Sequence, residues 1–502
     1  MQETVETDKG DQTRIMPAFL LLDENNKLSV ASQHVVGDRL VCPPPRDDKH
    51  KIPWLLPRAV EVIRYYREDN NSRLYDDLLV YLKNNSEMPD EKYYDLLATW
   101  VFHTYLLEKF QYSPYLWFFA VFERGKSRTG KGLVYVAYRG VHVESLRDAY
   151  IVRLANDWKA TIFFDVIDLW RKAEKACSED VLMGRFEKGM TVARVNYPER
   201  GAYRDTVYYD IFGPTVVATN VPIGEGLNTR AIQINMPESI KAFNNEIKPE
   251  LSLPLKERLV AFRARHLNED LPDIPKPAFK RLGDITRPLL QVIKLVKPER
   301  EPILRRLIEE LEAEKKKDLA ESIEAYIIDA MLALEGENKI TSTGCLVLND
   351  IAELVNDGRP EKHQLSNKFI SSKLRALGFK YFGQQPGTKR AIYRYDADLL
   401  NRLAIHYGLR ETKKESETSG THTLCTSSQT SQTSQSIEGQ GPDLGGLGEG
   451  VRRIGQTSHE PPNKPPTGEP CGTSDWEHWE GWEANAKGMD GGFPADIFEG
   501  EI

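Results

Sequence analysis

Cysteine is scarce and scattered. The 502 residues hold five, Cys42, Cys177, Cys345, Cys425 and Cys471, with no Cys-x-x-C pair. That spacing excludes a disulfide framework and a cysteine zinc site, and it fits a reducing compartment. Long apolar runs are missing too. None approaches the ~18 residues of a membrane span. The opening MQETVETDKGDQTR is acidic and polar and lacks the apolar core of a secretory signal. The expectation is a cytoplasmic chain with no membrane partner. His103 has no second His or Cys at ligand spacing and reads as a core or interface residue.

A surplus of one charge is also absent from most of the chain. The net charge is −8, but 16 acidic and 6 basic residues lie between Glu411 and Ile502, leaving 59 acidic and 61 basic elsewhere. The first 410 residues are therefore close to neutral. Whole-chain acidity is no argument against nucleic-acid binding.

What is present divides the chain into six stretches. Residues 1–51 form an irregular lead-in with a short alternating patch near Phe19–Leu22. Residues 52–112 form a helical segment. In YYDLLATWVFHTYLLEKF the apolar positions recur at helical spacing and predict one buried face. Residues 113–270 carry short apolar runs, YLWFFAVF (115–122), TIFFDVID (161–168), TVVATN (215–220) and RAIQINM (230–236), separated by helical or polar stretches. The alternation predicts an α/β domain with a largely parallel sheet. Residues 271–338 are a charged helical lid or linker. Residues 339–410 read as helix, helix and two strands about a Pro-Gly turn, the pattern of a winged helix. Residues 411–502 are rich in Ser, Thr, Gln, Gly and Pro and are expected to be a disordered acidic tail. Trp476, Trp479, Trp482, Phe493 and Phe498 stand among acids near its end, so residues 475–502 are a candidate protein-docking peptide.

The chemistry-bearing stretch is AVFERGKSRTGKGLVYVAYRG, from Ala120 to Gly140. A phosphate loop reads G-x-x-x-x-G-K-[ST]. Its glycines let backbone N–H groups wrap phosphates, its Lys reaches the β- and γ-phosphates, and its hydroxyl holds Mg²⁺. Gly-Lys occurs twice. Gly130-Lys131 has Gly125 at the leading position, but Gly132 stands where a hydroxyl belongs. Gly125-Lys126-Ser127 has the hydroxyl, but Ala120 holds the leading position. Both registers follow an apolar strand and precede a helix, as phosphate binding at a helix N-terminus requires. Spacing alone leaves both open.

Further candidates sit at strand ends in order. Asp165 ends the second apolar run and would complete a Mg²⁺ shell with Ser127. The Glu that often follows such an Asp is Val166 here. Asp168 is placed to substitute, although a helix N-cap is an equal reading. Asn220 ends the third run, within reach of a γ-phosphate or an attacking water. Arg230 opens the fourth, and its planar guanidinium suits a phosphate of a neighbouring subunit. Arg185, Lys188 and Arg194 mark a basic loop that lines a nucleic-acid pore, contacts a neighbour's nucleotide or forms a solvated hairpin. In the winged-helix stretch, Lys368, Lys373 and Arg375 lie on the second helix, with Lys389 and Arg390 in the wing. That is the charge placement for DNA phosphates.

Taken in order, ATWVFHTYLLEKFQYSPYLWFFAVFERGKSRTGK, AYRG, ATIFFDVID, RFEKGM, YYDIFGPTVVATN, LNTRAIQINM and FISSKLRALGFK resemble a family of P-loop ATPases from bacteria, phages and plasmids. These carry a domain of unknown function and are associated with primases of mobile elements. The resemblance spans roughly residues 90–400. It implies a core like that of AAA+ and superfamily-3 helicases, ATP and Mg²⁺ as cofactors, DNA as partner, and a homo-oligomer, with a ring as one form. Aligning Ser127 with the family's hydroxyl brings Tyr138-Arg139 and Asp165 into line without a gap, which favours Gly125-Lys126-Ser127. Lys131 becomes a second basic group on the same helix. Gly130 and Gly132 then fall inside that helix, at roughly 1 kcal/mol each relative to Ala. The resulting expectation is a DNA-stimulated ATPase acting in replication of mobile DNA. Two other readings stand beside it: a DNA-binding switch with little hydrolysis, and a loader recruiting partners through its tail.

Overall fold

The computed structural model describes residues 1–6, 13–43, 52–201, 204–385 and 387–410. The expected disordered tail, with its aromatic segment, lies outside the described residues. Three short antiparallel hairpins lead the chain. They are β1 (Gln2–Glu6) with β2 (Thr13–Pro17), β3 (Phe19–Leu22) with β4 (Leu28–Ala31), and β5 (His34–Val36) with β6 (Arg39–Val41).

Helices α1 (Ala59–Glu68), α2 (Asn71–Asn85) and α3 (Lys92–Tyr105) follow. Helix α2 starts where Asn70 accepts the Arg73 N–H at 2.8 Å, which satisfies one of the donors a helix N-terminus leaves free. Every residue of α3 from Tyr94 to Tyr105 is buried, not one face only. The reason is that α3 runs between α2 and helices far downstream in the chain. Its one buried acid, Asp95, is neutralised by a two-pronged contact from Arg300, at 2.8 and 2.7 Å. His103, fully buried, meets Ser113 Oγ at 3.0 Å, and burial pushes its imidazole down to about 3.

The core then alternates strand and helix. The chain runs through β7 (Tyr115–Phe119), α4 (Lys126–Val136), β8 (Gly140–Val143), α5 (Asp148–Asn156), β9 (Thr161–Asp165), α6 (Leu169–Ala176) and α7 (Glu179–Gly184). An antiparallel hairpin, β10 (Thr191–Val195) with β11 (Thr206–Asp210), precedes β12 (Thr215–Thr219), α8 (Glu225–Asn228) and β13 (Ala231–Asn235). The five remaining strands form one sheet in the order β13-β7-β12-β9-β8, every neighbour parallel. The fold is α/β with a five-stranded parallel sheet of the P-loop kind. Parallel strands are covered on both faces, so they read as unbroken apolar runs. Tyr115–Phe118, Thr161–Phe164 and Thr215–Thr219 are accordingly buried. Each strand is shorter than its apolar run, because the tails of the runs leave the sheet as loops. Strand β8 was not expected: the first helix stops at Val136, and Gly140–Val143 adds an edge strand.

Helices α9 (Pro249–His266), α10 (Lys280–Val296) and α11 (Glu301–Ala320) pack on the same hydrophobic core. A second core gathers α12 (Ile323–Gly336), β14 (Cys345–Val347), α13 (Leu348–Asn356), α14 (Asn367–Ala376), β15 (Tyr381–Gln384), β16 (Ala391–Arg394) and α15 (Ala397–His406). Its strands form an antiparallel sheet in the order β14-β16-β15. Among the described residues no helix is long and apolar enough to cross a membrane.

Candidate nucleotide site

Phosphate-loop geometry begins at the end of β7. The chain leaves the sheet after Phe119, turns through Glu123 (φ 63°) and Gly125 (φ 74°), and enters α4 at Lys126. The left-handed conformation at Gly125 suits a residue without Cβ. It aims the free first-turn N–H groups of α4 into the loop, the arrangement that receives an anion. Lys126 is buried, and its Nζ donates to Ala120 O at 2.9 Å and Val121 O at 2.6 Å. Burial lowers the pKa of this ammonium, and Asp165 partly offsets that.

Ser127 Oγ donates to Asp165 Oδ1 at 2.9 Å, joining the helix start to the end of β9. Burial works against ionisation of Asp165. The neighbouring His142 and the Ser127 hydroxyl outweigh it and hold the carboxyl below its ordinary value. Strand β12 lies between β7 and β9, and Trp117 Nε1–H on β7 fixes it by donating to Thr219 Oγ1 at 2.8 Å. Asn220, the next residue, is thereby set between the loop and Asp165. Its backbone N–H donates to Ile167 O at 3.1 Å, while its buried Nδ2 has no protein partner. An unpaired buried amide beside a hydroxyl, a carboxylate and an ammonium fits a triphosphate with Mg²⁺.

The helix starting at Lys126 places Gly130-Lys131 one turn inside α4, not at a loop. The two interior glycines have a packing reason. A Cβ at Gly130 would lie 2.1 Å from Phe163 Cζ, and one at Gly132 would lie 2.8 Å from Asn85 Nδ2. They let α4 approach β9 and α2 closely. Lys131 stands four residues after Ser127 on the same face, and its charge acts on Asp165.

The other candidates fall elsewhere. Asp168 is the N-cap of α6 and accepts the Arg171 N–H at 3.1 Å. Arg230 precedes β13, where Ala231 is level with Tyr115, the first residue of β7. It therefore sits at the opposite edge of the sheet from its own phosphate loop, one strand length or about 16 Å away. Its guanidinium lies over Phe186 at 4.7 Å, with Nε buried and unpartnered, and it donates to Gly226 O. Arg281 lies over the same ring at 5.5 Å. Burial, and then Arg281, lower the Arg230 pKa.

Arg185 is not a pore residue. It is fully buried and donates to Thr215 Oγ1, Ile211 O, Ala160 O and Pro214 O at 3.0–3.3 Å, clamping the starts of β9 and β12. Lys188 donates to Glu108 O, and Arg194 grips Asp148 at 3.0 and 2.7 Å. In the second core, Lys368, Arg375, Lys389 and Arg390 are exposed, whereas Lys373 is paired with Glu324 at 2.5 Å. Sequence reasoning missed His142. It sits on the unexpected β8, its ring stacked on Phe163 at 5.1 Å and its Nε2 3.5 Å from Asp165 Oδ2. The alternating GVHV after Tyr138-Arg139 is its only trace in the sequence.

No family model and no curated protein matches the chain. Solved structures do. The chain is similar to the SCCmec type IV Cch helicase at 14% identity, over 81% of this chain and 80% of that one, TM-score 0.34. It is similar to the C-terminal region of NrS-1 at 12% identity, over 73% and 82%, TM-score 0.32. It is similar to the JCV helicase at 11% identity, over 48% and 72%, TM-score 0.22. At such scores the likeness assigns this chain neither a fold nor an activity.

Proposed function

We propose that this chain binds and hydrolyses ATP with Mg²⁺ and works as an oligomeric, DNA-associated, helicase-like motor in the replication of mobile DNA. The observation that carries the reading is the convergence at one sheet edge of the Gly125 turn, Lys126, the Ser127–Asp165 pair and the unpartnered Asn220 amide. Lys126 would leave the loop carbonyls to bind β- and γ-phosphate oxygens. Ser127 and Asp165 would hold Mg²⁺, which neutralises charge on the phosphates. Asn220 would orient the γ-phosphate or the water. Arg230 cannot reach its own loop, so any phosphate contact it makes is with a second copy of the chain, as in a ring.

Residues 339–410 are read as a winged helix, supported by the three-stranded antiparallel sheet beside α13 and α14. Lys368, Arg375, Lys389 and Arg390 would meet DNA phosphates. Lys373 is already neutralised by Glu324 and would contribute least. The β10–β11 hairpin exposes Val195 and Tyr208 and is the candidate pore element of a ring.

The test is ATPase activity of wild type, Lys126→Ala and Lys131→Ala, each with and without single-stranded DNA. Lys126→Ala should lose about 10²–10³-fold in turnover. Lys131→Ala should lose less. Loss only in Lys131→Ala would overturn the register. A second reading, a nucleotide-dependent DNA-binding switch, is favoured by Val166, which cannot accept a proton. Tight DNA binding with no measurable hydrolysis would support it.

A further inference from the structure

A water attacking the γ-phosphate needs a proton acceptor, and the residues beside Asp165 do not supply one. Val166 is buried and apolar. Asp168 spends its carboxylate on the N-cap of α6. The neighbouring strand offers another group. Strands β8 and β9 run parallel with Val143 opposite Phe164, so Glu144 stands level with Asp165 at the same edge of the sheet. Its side chain is 74% exposed. His142 Nε2 lies between the two carboxylates, 3.8 Å from Glu144 Oε1 and 3.5 Å from Asp165 Oδ2, in ion-pair range of both. The carboxylates are thus no further apart than the sum of those two distances. Both carboxylates therefore stand at the same strand-end edge, on adjacent strands, around one imidazole.

We propose that Glu144, carried on the edge strand, is the catalytic base of hydrolysis in place of the acid missing at residue 166. The proposal rests on the nucleotide reading above and assigns one further residue to that site. Water oxygen forms the new bond to the γ-phosphorus, and the water proton passes to a Glu144 carboxylate oxygen. The bond from γ-phosphorus to the bridging oxygen breaks, and its electron pair stays on the ADP β-phosphate. The departing phosphate or bulk water then removes the proton from Glu144. Asp165 would stay with the metal, and His142 Nε2 stands 3.5 Å from Asp165 Oδ2 and 3.8 Å from Glu144 Oε1. Two groups that must not exchange roles are thereby placed on two adjacent strands.

The experiment uses the full chain with single-stranded DNA. It measures the affinity of a fluorescent ATP analogue and single-turnover ATP hydrolysis for wild type, Glu144→Gln, Glu144→Ala, Asp168→Asn and Lys126→Ala. Glu144 is exposed, so its substitution leaves the core intact. The expected result is analogue affinity in both Glu144 variants within about threefold of wild type, with hydrolysis slower by about 10²–10⁴-fold. Hydrolysis by Glu144→Gln within about threefold of wild type, or a larger loss in Asp168→Asn than in Glu144→Gln, would overturn the assignment. If Lys126→Ala alone loses hydrolysis, the nucleotide reading stands and Glu144 is not the base. If wild type has no affinity for the analogue, both fail together.

Discussion

The two edges of the five-stranded sheet are built on opposite electrostatics. At the edge where the strands end, helix α4 begins, and its N-terminus presents partial positive charge and free N–H groups. Ser127, Asp165, Lys126 and Asn220 gather there, and the first three already satisfy one another or the loop. At the edge where the strands begin, the preceding helices end, and their C-termini present partial negative charge. Cations gather there. Arg185 is fully buried at the starts of β9 and β12, and burial lowers its pKa to about 10. Arg230 precedes β13. Lys256, on α9, is buried at a cavity of about 360 Å³ that also touches Tyr138, Arg139 and Trp158, just before β8 and β9. One edge gathers a hydroxyl, a carboxylate, an ammonium and an unpaired amide. The other holds Arg185, Arg230 and Lys256, and among the described residues none of the three forms an ion pair.

The strongest way to break this comparison is Arg230→Ala. If the cation at the far edge serves a neighbour's phosphates, turnover should fall by about 10³-fold or more while nucleotide affinity is kept. Mixing the variant with wild type should depress activity by more than dilution, because each Arg230 would act on another subunit's loop. Unchanged turnover would make Arg230 a structural cation on Phe186 and leave the two edges functionally unconnected.

Lys256 tests whether an unpaired far-edge cation is costly when it has no such role. Burial alone lowers its pKa from 10.5 to about 7, with no ion pair opposing it. The unfolded chain keeps the proton up to the ordinary value. Between about pH 7 and pH 10.5 the folded chain therefore binds fewer protons than the unfolded one, and stability rises with pH across that window. Below about 7 both states are protonated and the full penalty applies, on the order of 5 kcal/mol. Lys256→Met should stabilise the protein most near neutral pH, and the gain should shrink as pH approaches 10. Denaturant unfolding at about pH 6.5 and about pH 9.5 reads this directly. A gain that is equal at both would mean the ammonium is not the source.

Much of the edge where the strands end was legible in the sequence, and little of the far edge was. Lys126, Ser127, Asp165 and Asn220 each follow an apolar run. A two-face-buried strand announces itself that way, and the residue at its end is then placed by topology. Strand β8 was hidden because GVHV is short and follows directly on a helix, so Glu144 and His142 stayed invisible with it. Arg185 was misread because a basic residue near other basic residues looks solvent-facing. Its burial depends on four oxygens from segments 25–30 residues away, which no local pattern records. The fully buried α3 has the same origin: its outer face is covered by α10 and α11, nearly two hundred residues on.

The gentlest change falls behind the edge that carries Ser127 and Asp165. A helix-interior glycine normally gains helix stability on replacement by Ala, by roughly 1 kcal/mol. At Gly130 the added methyl would sit 2.1 Å from Phe163 Cζ, and Phe163 is fully buried in β9, two residues before Asp165. The ring cannot rotate away without opening the core, so the clash should dominate and cost about 1–3 kcal/mol. The shift is transmitted along β9 and α4, which carry Asp165 and Ser127. Gly130→Ala should therefore lower the melting temperature and weaken nucleotide affinity together, with Phe163→Leu in the same chain restoring part of both. A stabilised Gly130→Ala variant would mean that α4 can move off the sheet, and that the glycine is not what fixes the distance between hydroxyl and carboxylate.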